Sequence, residues 1–157
     1  MTAEDGSQDT PDEHARFAAH LQALSQVSGD AELALVTEVL TDPDAVMAQS
    51  AVSRHLDQRA GTLLPGPGYL PWARAMTGVV ASYPFLVQRL HEWSLFRAVT
   101  LRQPWSPDAL TGASNWLQLK IAADPGATTA ALILAEAGRT KRIRNAARAA
   151  AARKSRS

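Results

Sequence analysis

The residues that could carry acid–base chemistry or bind a metal are four histidines: His14, His20, His55 and His91. None of them stands in the His-Glu-x-x-His spacing, which would place two zinc ligands on one face of a helix. His91 and Glu92 are adjacent, so on a helix their side chains point about 100° apart, and we interpret them as a surface pair. His55 with Asp57 gives no better dyad. Because nucleophile-elbow, Walker and dinucleotide-binding motifs are also missing, the sequence predicts no catalytic residue, metal ligand or cofactor.

The basic residues near the end of the chain are the strongest functional signal. Residues 1–57 hold eleven acidic and two basic residues, whereas residues 58–157 hold four acidic and fourteen basic residues. The two segments therefore have net charges of −9 and +10, and no acidic residue follows Glu136. On a helix, residues three and four apart share one face, so the last helix would carry a basic stripe. The candidate binding residues are Arg139, Lys141, Arg142, Arg144 and Arg148.

This stripe is compatible with more than one function. It could contact the phosphates of a nucleic acid or the surface of an acidic protein. It could equally be a solvated face that keeps an alanine-rich helix in solution, or it could pair with the acidic N-terminal half. We expect Ile143, Ala147 and Ala150 to form the buried side of the same helix.

Aromatic residues concentrate in the middle of the chain. Five of them are expected to belong mainly to the core, namely Trp72, Tyr83, Phe85, Trp93 and Phe96. Trp105 lies in a predicted loop over residues 103–106 and is the best candidate for an exposed anchor that contacts a partner. Because these aromatic residues do not alternate with the basic residues, an interpretation as a nucleic-acid-binding protein lacks its usual second support.

Three evenly spaced prolines suggest how the elements are arranged. Pro43, Pro84 and Pro125 are each 41 residues apart, and each lies between two apolar runs of helical period. A period near 40 with two helices per period is typical of a stacked helical repeat. Each proline is expected at the first position of a second helix, where its missing N–H is not needed. Asp42 and Asp124, which precede two of them, are expected to be the N-caps.

The residues around the prolines predict which side chains are buried. Four and eight positions before each proline lie apolar residues that share one helix face, and nine positions after it lies another. The predicted inner residues are Leu35, Val39, Val52, Met76, Val80, Trp93, Leu117, Ile121 and Leu134.

At these positions the chain resembles HEAT-repeat proteins. Residues 41–46, with the sequence TDPDAV, are similar to the turn between the two helices of a HEAT unit, and residues 123–126 match it in part. Met47 stands where the family usually has arginine. The resemblance covers about residues 28–150. It implies an all-α stack of helix pairs that binds other macromolecules, and the family motif serves packing rather than catalysis.

The remaining sequence completes an all-α prediction of about seven or eight helices. Residues 1–9 are predicted to be a disordered acidic N-terminus, residues 10–138 a HEAT-like helical domain, and residues 139–157 a basic C-terminal helix and tail. A capping box at residues 10–13 is expected to start the first helix, and residues 61–68 are expected to form a loop. Cysteine is absent and no apolar run is long enough for a membrane span, so we expect a cytoplasmic protein.

The sequence therefore favours a non-catalytic module that binds another protein through a helical surface. The alternative is a nucleic-acid-binding protein that uses the basic stripe, with Trp105 as a further candidate contact. HEAT-like glycosylases that act on alkylated bases are a third, disfavoured possibility, because no Asp-Trp constellation can be placed in so short a chain.

Overall fold

A computed structural model describes the backbone of residues 5–156 and the side chains of residues 12–153. Within this part the chain is all-α, without a strand, and its nine helices include the five-residue α6. The helices are α1 (Asp5–Gln26), α2 (Ala31–Val39), α3 (Ala45–Leu63), α4 (Tyr69–Val79), α5 (Pro84–Thr100), α6 (Pro107–Thr111), α7 (Asn115–Ala123), α8 (Thr128–Ala137) and α9 (Lys141–Arg156). The chain divides into two compact units, Met1–Leu90 and His91–Ser157, with the division inside α5.

The N-terminal unit (Met1–Leu90) is built from helices that bury one apolar face each. In it α1 packs on α3, and α2 packs on both α3 and α4. Val39, Val52, Met76 and Val80 are buried as the proline-based register predicts, while Leu35 is half-buried. Burial of these apolar faces is the main stabilising contribution, at about 25 cal/mol for each Å² removed from water.

The C-terminal unit (His91–Ser157) has its own apolar cluster. In it α9 packs against both α7 and α8, and α6 packs against α8. Leu117, Ile121 and Leu134 are fully buried, and Trp93 is 4% exposed, so the predicted inner residues are confirmed here too. The same cluster includes Ile143 and Ala147 from α9.

The prolines lie where the chain turns between helices, but the predicted caps are wrong. Pro84 begins α5 as expected, whereas α3 begins at Ala45, after Pro43. The N-cap of α3 is Asp44, whose carboxylate accepts a hydrogen bond from the Met47 N–H at 3.0 Å. Asp42 lies two residues before this N-cap, and its own carboxylate accepts the Asp44 N–H, which closes a turn between the two aspartates.

The second predicted cap fails for a related reason. Asp124 is the C-cap residue of α7, and its carboxylate accepts the Gly126 N–H. The following helix, α8, begins only at Thr128, with Ala127 at the N-cap position. Pro125 therefore lies in the turn between α7 and α8, not in the first turn of α8.

Other predicted boundaries are partly confirmed. Helix α1 begins at Asp5, so the capping box at residues 10–13 does not start it. Of the segment predicted to be disordered, the backbone of residues 5–9 is helical, and residues 1–4 lie outside the described part. Helix α3 continues to Leu63, which shortens the predicted loop to residues 64–68. Ser106 is the N-cap of α6, ahead of Pro107, and Gly138 is the C-cap of α8.

Candidate binding surfaces

The C-terminal basic helix α9 is held in place by the turn that precedes it. The amide side chain of buried Gln118 donates to the carbonyls of Leu110 and Thr111, and its oxygen accepts the Arg139 N–H at 2.9 Å. At Gly138 a Cβ atom would lie 2.7 Å from the Leu134 carbonyl oxygen, so only glycine allows so close an approach. These contacts fix where α9 starts.

The two sides of α9 differ completely. Ile143 and Ala147 are fully buried and Ala150 is half-buried, as the sequence predicts. On the other side, three of the predicted binding residues are exposed to solvent, namely Lys141, Arg142 and Arg148. Within residues 12–153, no carboxylate lies within 4.0 Å of a charged nitrogen of these three side chains. The structure thus keeps this basic surface (Lys141, Arg142 and Arg148) without an acidic partner from the described chain.

The other two predicted basic residues have structural contacts. The Arg139 guanidinium donates to the carbonyl of Ala113 at 3.2 Å. The Arg144 guanidinium donates to the carbonyl of Gly138 at 2.9 Å, at the C-terminus of α8, where a cation is favoured by the helix dipole. Arg139 and Arg144 therefore also stabilise the turn between α8 and α9.

Trp105 is half-buried, with part of its ring packed against the core of the C-terminal unit. The predicted exposed anchor is therefore only partly exposed. Its remaining surface lines an open cleft of about 440 Å³, which we call the Trp105 cleft. Arg102, whose φ of 59° is in the left-handed region, and two threonines at the start of α8 line the same cleft. Its principal lining residues are Val99, Arg102, Gln103, Trp105, Thr128 and Thr129.

The start of α8 lies between two clefts, one lined by Trp105 and the other by a residue of the basic helix. A second cleft of about 350 Å³ is lined by Asp124, Pro125 and Thr128, and by Arg153 of α9. Both clefts share Ala127 and Thr128, so Trp105 and Arg153 border two sides of the same turn. That both residues border this turn is not visible in the sequence, where they are far apart.

Sequence reasoning missed a buried polar cluster in the N-terminal unit. Glu32 of α2 is 5% exposed, and its Oε2 atom lies 2.7 Å from His55 Nε2. The same oxygen accepts from Arg59 Nε at 3.0 Å and from Trp72 Nε1 at 3.1 Å. One carboxylate therefore connects α2 to α3 and α4. The sequence signal was present, because Glu32 lies one turn before Val36 on the buried stripe of its helix.

The surroundings of Glu32 favour its charged form. Burial opposes ionisation most strongly, but the hydrogen bonds from Arg59, Trp72 and His55, together with the positive charge of Arg59, more than offset it. The pKa of the Glu32 carboxyl is therefore lowered from its ordinary value. A buried carboxylate with this many donors is characteristic of a structural connection, and it also positions His55, which lines a cleft of about 220 Å³ with Ser25, Arg54 and other residues.

The environments of Glu92 and Phe85 differ from those predicted from the sequence. Glu92 is buried and accepts hydrogen bonds from the Ser114 N–H and hydroxyl at 2.8 and 2.6 Å, so His91 and Glu92 are not a surface pair. Ser114 is the N-cap of α7, which gives Glu92 a structural role.

Among the five aromatic residues predicted to be core, Phe85 is 55% exposed; it is the second residue of α5 and faces solvent.

Comparisons of the chain with protein-family models, with curated proteins and with solved structures gave no match. Among the described residues, no group of three or more His, Asp or Glu side chains is arranged to hold a metal ion. No described helix has the length and apolar character needed to cross a membrane. The candidate surfaces are therefore interpreted from their own geometry and charge.

Proposed function

We propose that this chain is a non-catalytic binding module that presents a HEAT-like helical surface to another macromolecule, and that the contact surface is the basic side of α9. The observation that carries the proposal is that Lys141, Arg142 and Arg148 are exposed and have no carboxylate within ion-pair distance in the described chain. The helix that carries them is fixed by Ile143 and Ala147 on its buried side. A cytoplasmic location remains part of this proposal.

An acidic protein surface is the partner that we place first. The basic surface lies on a helix that is packed on its other side, so a partner with matching carboxylates could bind it without ordering the backbone of a flexible segment. Surface charges of one sign also accelerate encounter with an opposite surface, and salt screens this attraction over about 8–10 Å.

A nucleic acid is the second candidate, and a specific observation favours it. Trp105 and Arg153 border the same turn at the start of α8, although the sequence does not interleave aromatic and basic residues. Single-stranded nucleic acids are bound by this combination of stacking surface and positive charge.

The test is a triple substitution, Lys141→Gln, Arg142→Gln and Arg148→Gln, which leaves Arg144 and its contact with Gly138 in place. Binding to polyglutamate and to single-stranded oligothymidylate is measured at low and high salt. The expected result is weaker binding to the preferred probe and a flatter salt dependence, by about 0.7 of slope for each lost contact to a single strand.

The control is the double variant Arg54→Gln and Arg74→Gln, which removes exposed charge from the N-terminal unit. This control is expected to bind like the original chain. Preference for polyglutamate supports a protein partner, and preference for oligothymidylate supports the second candidate. Equal binding by the triple variant and the original chain to both probes overturns the proposal.

A further inference from the structure

The Trp105 cleft has the chemical character of a ligand site. Its volume of about 440 Å³ lies within the range of small-molecule pockets, about 300–1,000 Å³. It has an aromatic wall, Trp105, which is half-buried and packs against the core of the C-terminal unit. Half-burial on the core restrains the ring, so less side-chain entropy is lost when a flat ligand stacks on it.

Four side chains that line the cleft carry donor groups without a partner in the described chain, whereas the fifth polar side chain, Gln103, accepts a hydrogen bond from Arg97. The indole N–H of Trp105, the guanidinium of Arg102 and the hydroxyls of Thr128 and Thr129 form no side-chain hydrogen bond or ion pair with any described residue. Arg102 is exposed, so its charge is available at the mouth of the cleft. Several unpaired donors that line one concave surface suit a ligand that is rich in acceptors.

The C-terminal unit that contains the cleft has a net positive charge. No carboxylate lines the cleft, the nearby carboxylate of Asp124 accepts the Gly126 N–H, and the C-terminal unit holds eleven basic and four acidic residues, a net charge of +7. One of those acids, Glu92, is buried and bonded to Ser114. An anionic ligand is therefore favoured over a neutral or cationic one.

We infer that the Trp105 cleft binds a nucleoside phosphate, with the base stacked on Trp105 and the phosphate paired with Arg102. The threonine hydroxyls and the indole N–H would complete the hydrogen bonds to sugar and phosphate oxygens. The ligand is either a free nucleotide or one nucleotide of a single strand, since both present the same groups. The inference does not depend on the proposed contact through Lys141, Arg142 and Arg148, because none of them lines this cleft, and it shares Trp105 with the second candidate function.

The experiment follows the four indole N–H signals of the chain by NMR while AMP, adenosine, inorganic phosphate or single-stranded oligothymidylate is added. A Trp105→Phe variant assigns the Trp105 signal. We expect AMP to shift this signal at the lowest concentration. Adenosine and phosphate are expected to bind at least tenfold more weakly, because adenosine lacks the charge-assisted contact with Arg102 and phosphate lacks the stacking contact with Trp105. If only oligothymidylate shifts it, the source is a strand and the inference stands.

Two variants make the test specific. Arg102→Gln is expected to weaken AMP binding about tenfold, whereas Arg74→Gln, an exposed cation of the N-terminal unit, is expected to leave it unchanged. The triple variant of α9 is also expected to bind AMP normally, which separates this site from the proposed function. The inference is overturned if neither AMP nor oligothymidylate shifts the Trp105 signal, or if phosphate or adenosine alone binds as well as AMP.

Discussion

Glu32 shows how much one buried charge can organise. Its carboxylate accepts hydrogen bonds from side chains on two other helices, and the hydrogen bond with His55 is the shortest of these at 2.7 Å. Within residues 12–153, every buried side-chain nitrogen or oxygen has a hydrogen-bond partner. Removing the charge of Glu32 would therefore leave donors unsatisfied in a place that water reaches poorly.

The first prediction is that Glu32→Gln destabilises the chain by about 1–3 kcal/mol, which is the usual cost of unsatisfied buried polar groups. Urea unfolding followed by circular dichroism measures the change. The control is Glu38→Gln, because Glu38 lies on the same helix and is exposed. Equal effects of the two substitutions would show that the cluster contributes nothing specific.

The same cluster makes stability depend on pH. Because the folded state lowers the pKa of Glu32, its stabilising contribution is complete above the unfolded value of about 4.3 and is lost as the pH falls through the folded pKa. As the pH falls below about 5, the free energy of unfolding of the original chain should therefore decrease more than that of the Glu32→Gln variant. Parallel pH profiles for the two proteins would contradict this assignment.

At the scale of the helix, residues 41–44 (TDPD) contain two aspartates that could cap α3, and the second, Asp44, is the N-cap. The carboxylate of Asp42 forms hydrogen bonds with His20 Nε2 at 3.0 Å and with the Asp44 N–H. These hydrogen bonds are the main cause of its lowered pKa. Asp44 is then left to accept the Met47 N–H. Sequence reasoning could place the turn here, but it could not choose the aspartate, because the choice depends on a histidine of α1.

The second prediction follows from this choice. Asp44→Ala should lower the free energy of unfolding by about 1 kcal/mol, since α3 loses its side-chain N-cap, whereas Asp44→Ser should retain most of this stabilisation. Thermal and urea unfolding of the two variants gives the comparison. If serine is as destabilising as alanine, the effect comes from another contact of Asp44 and the cap assignment is wrong.

Helix α9 shows a different limit of sequence reasoning. Its existence, its basic stripe and its buried residues were all predictable from helical spacing and charge. The contacts of Arg139 and Arg144 with backbone carbonyls were not, because they depend on how the α8–α9 turn folds. For the same reason, the sequence could not predict that Trp105 and Arg153 line clefts on two sides of one turn.

At the scale of the whole molecule, the predicted inner residues are the part of the fold that the sequence determined best. Apolar residues at helical spacing around three prolines are buried in both units, with Leu35 half-buried. Polar members of the core were missed. Glu32, His55 and Gln118 are buried because specific partners from other helices satisfy them, and such partners cannot be found from periodicity.

The third prediction tests this register directly. Val80→Asp would place a carboxylate at a fully buried position without a partner, and it should remove a large part of the roughly 5–15 kcal/mol that stabilises a typical domain. Circular dichroism at room temperature should show substantial loss of helix. Val46→Asp is the matched control, because Val46 is 79% exposed, and it should leave the helical signal unchanged.

Arg102 has a consequence for how this chain could evolve. Its left-handed φ of 59° suits glycine, and a larger residue there costs about 1 kcal/mol of strain. Glycine would relieve that strain while adding about 0.4–1 kcal/mol of unfolded-chain entropy, so Arg102→Gly should change the melting midpoint little while weakening AMP binding about tenfold, as Arg102→Gln does. A large loss of stability would show that the arginine is structural. Folding thus places little constraint on this position, and an arginine there would drift readily to glycine in any lineage that no longer needs the cleft.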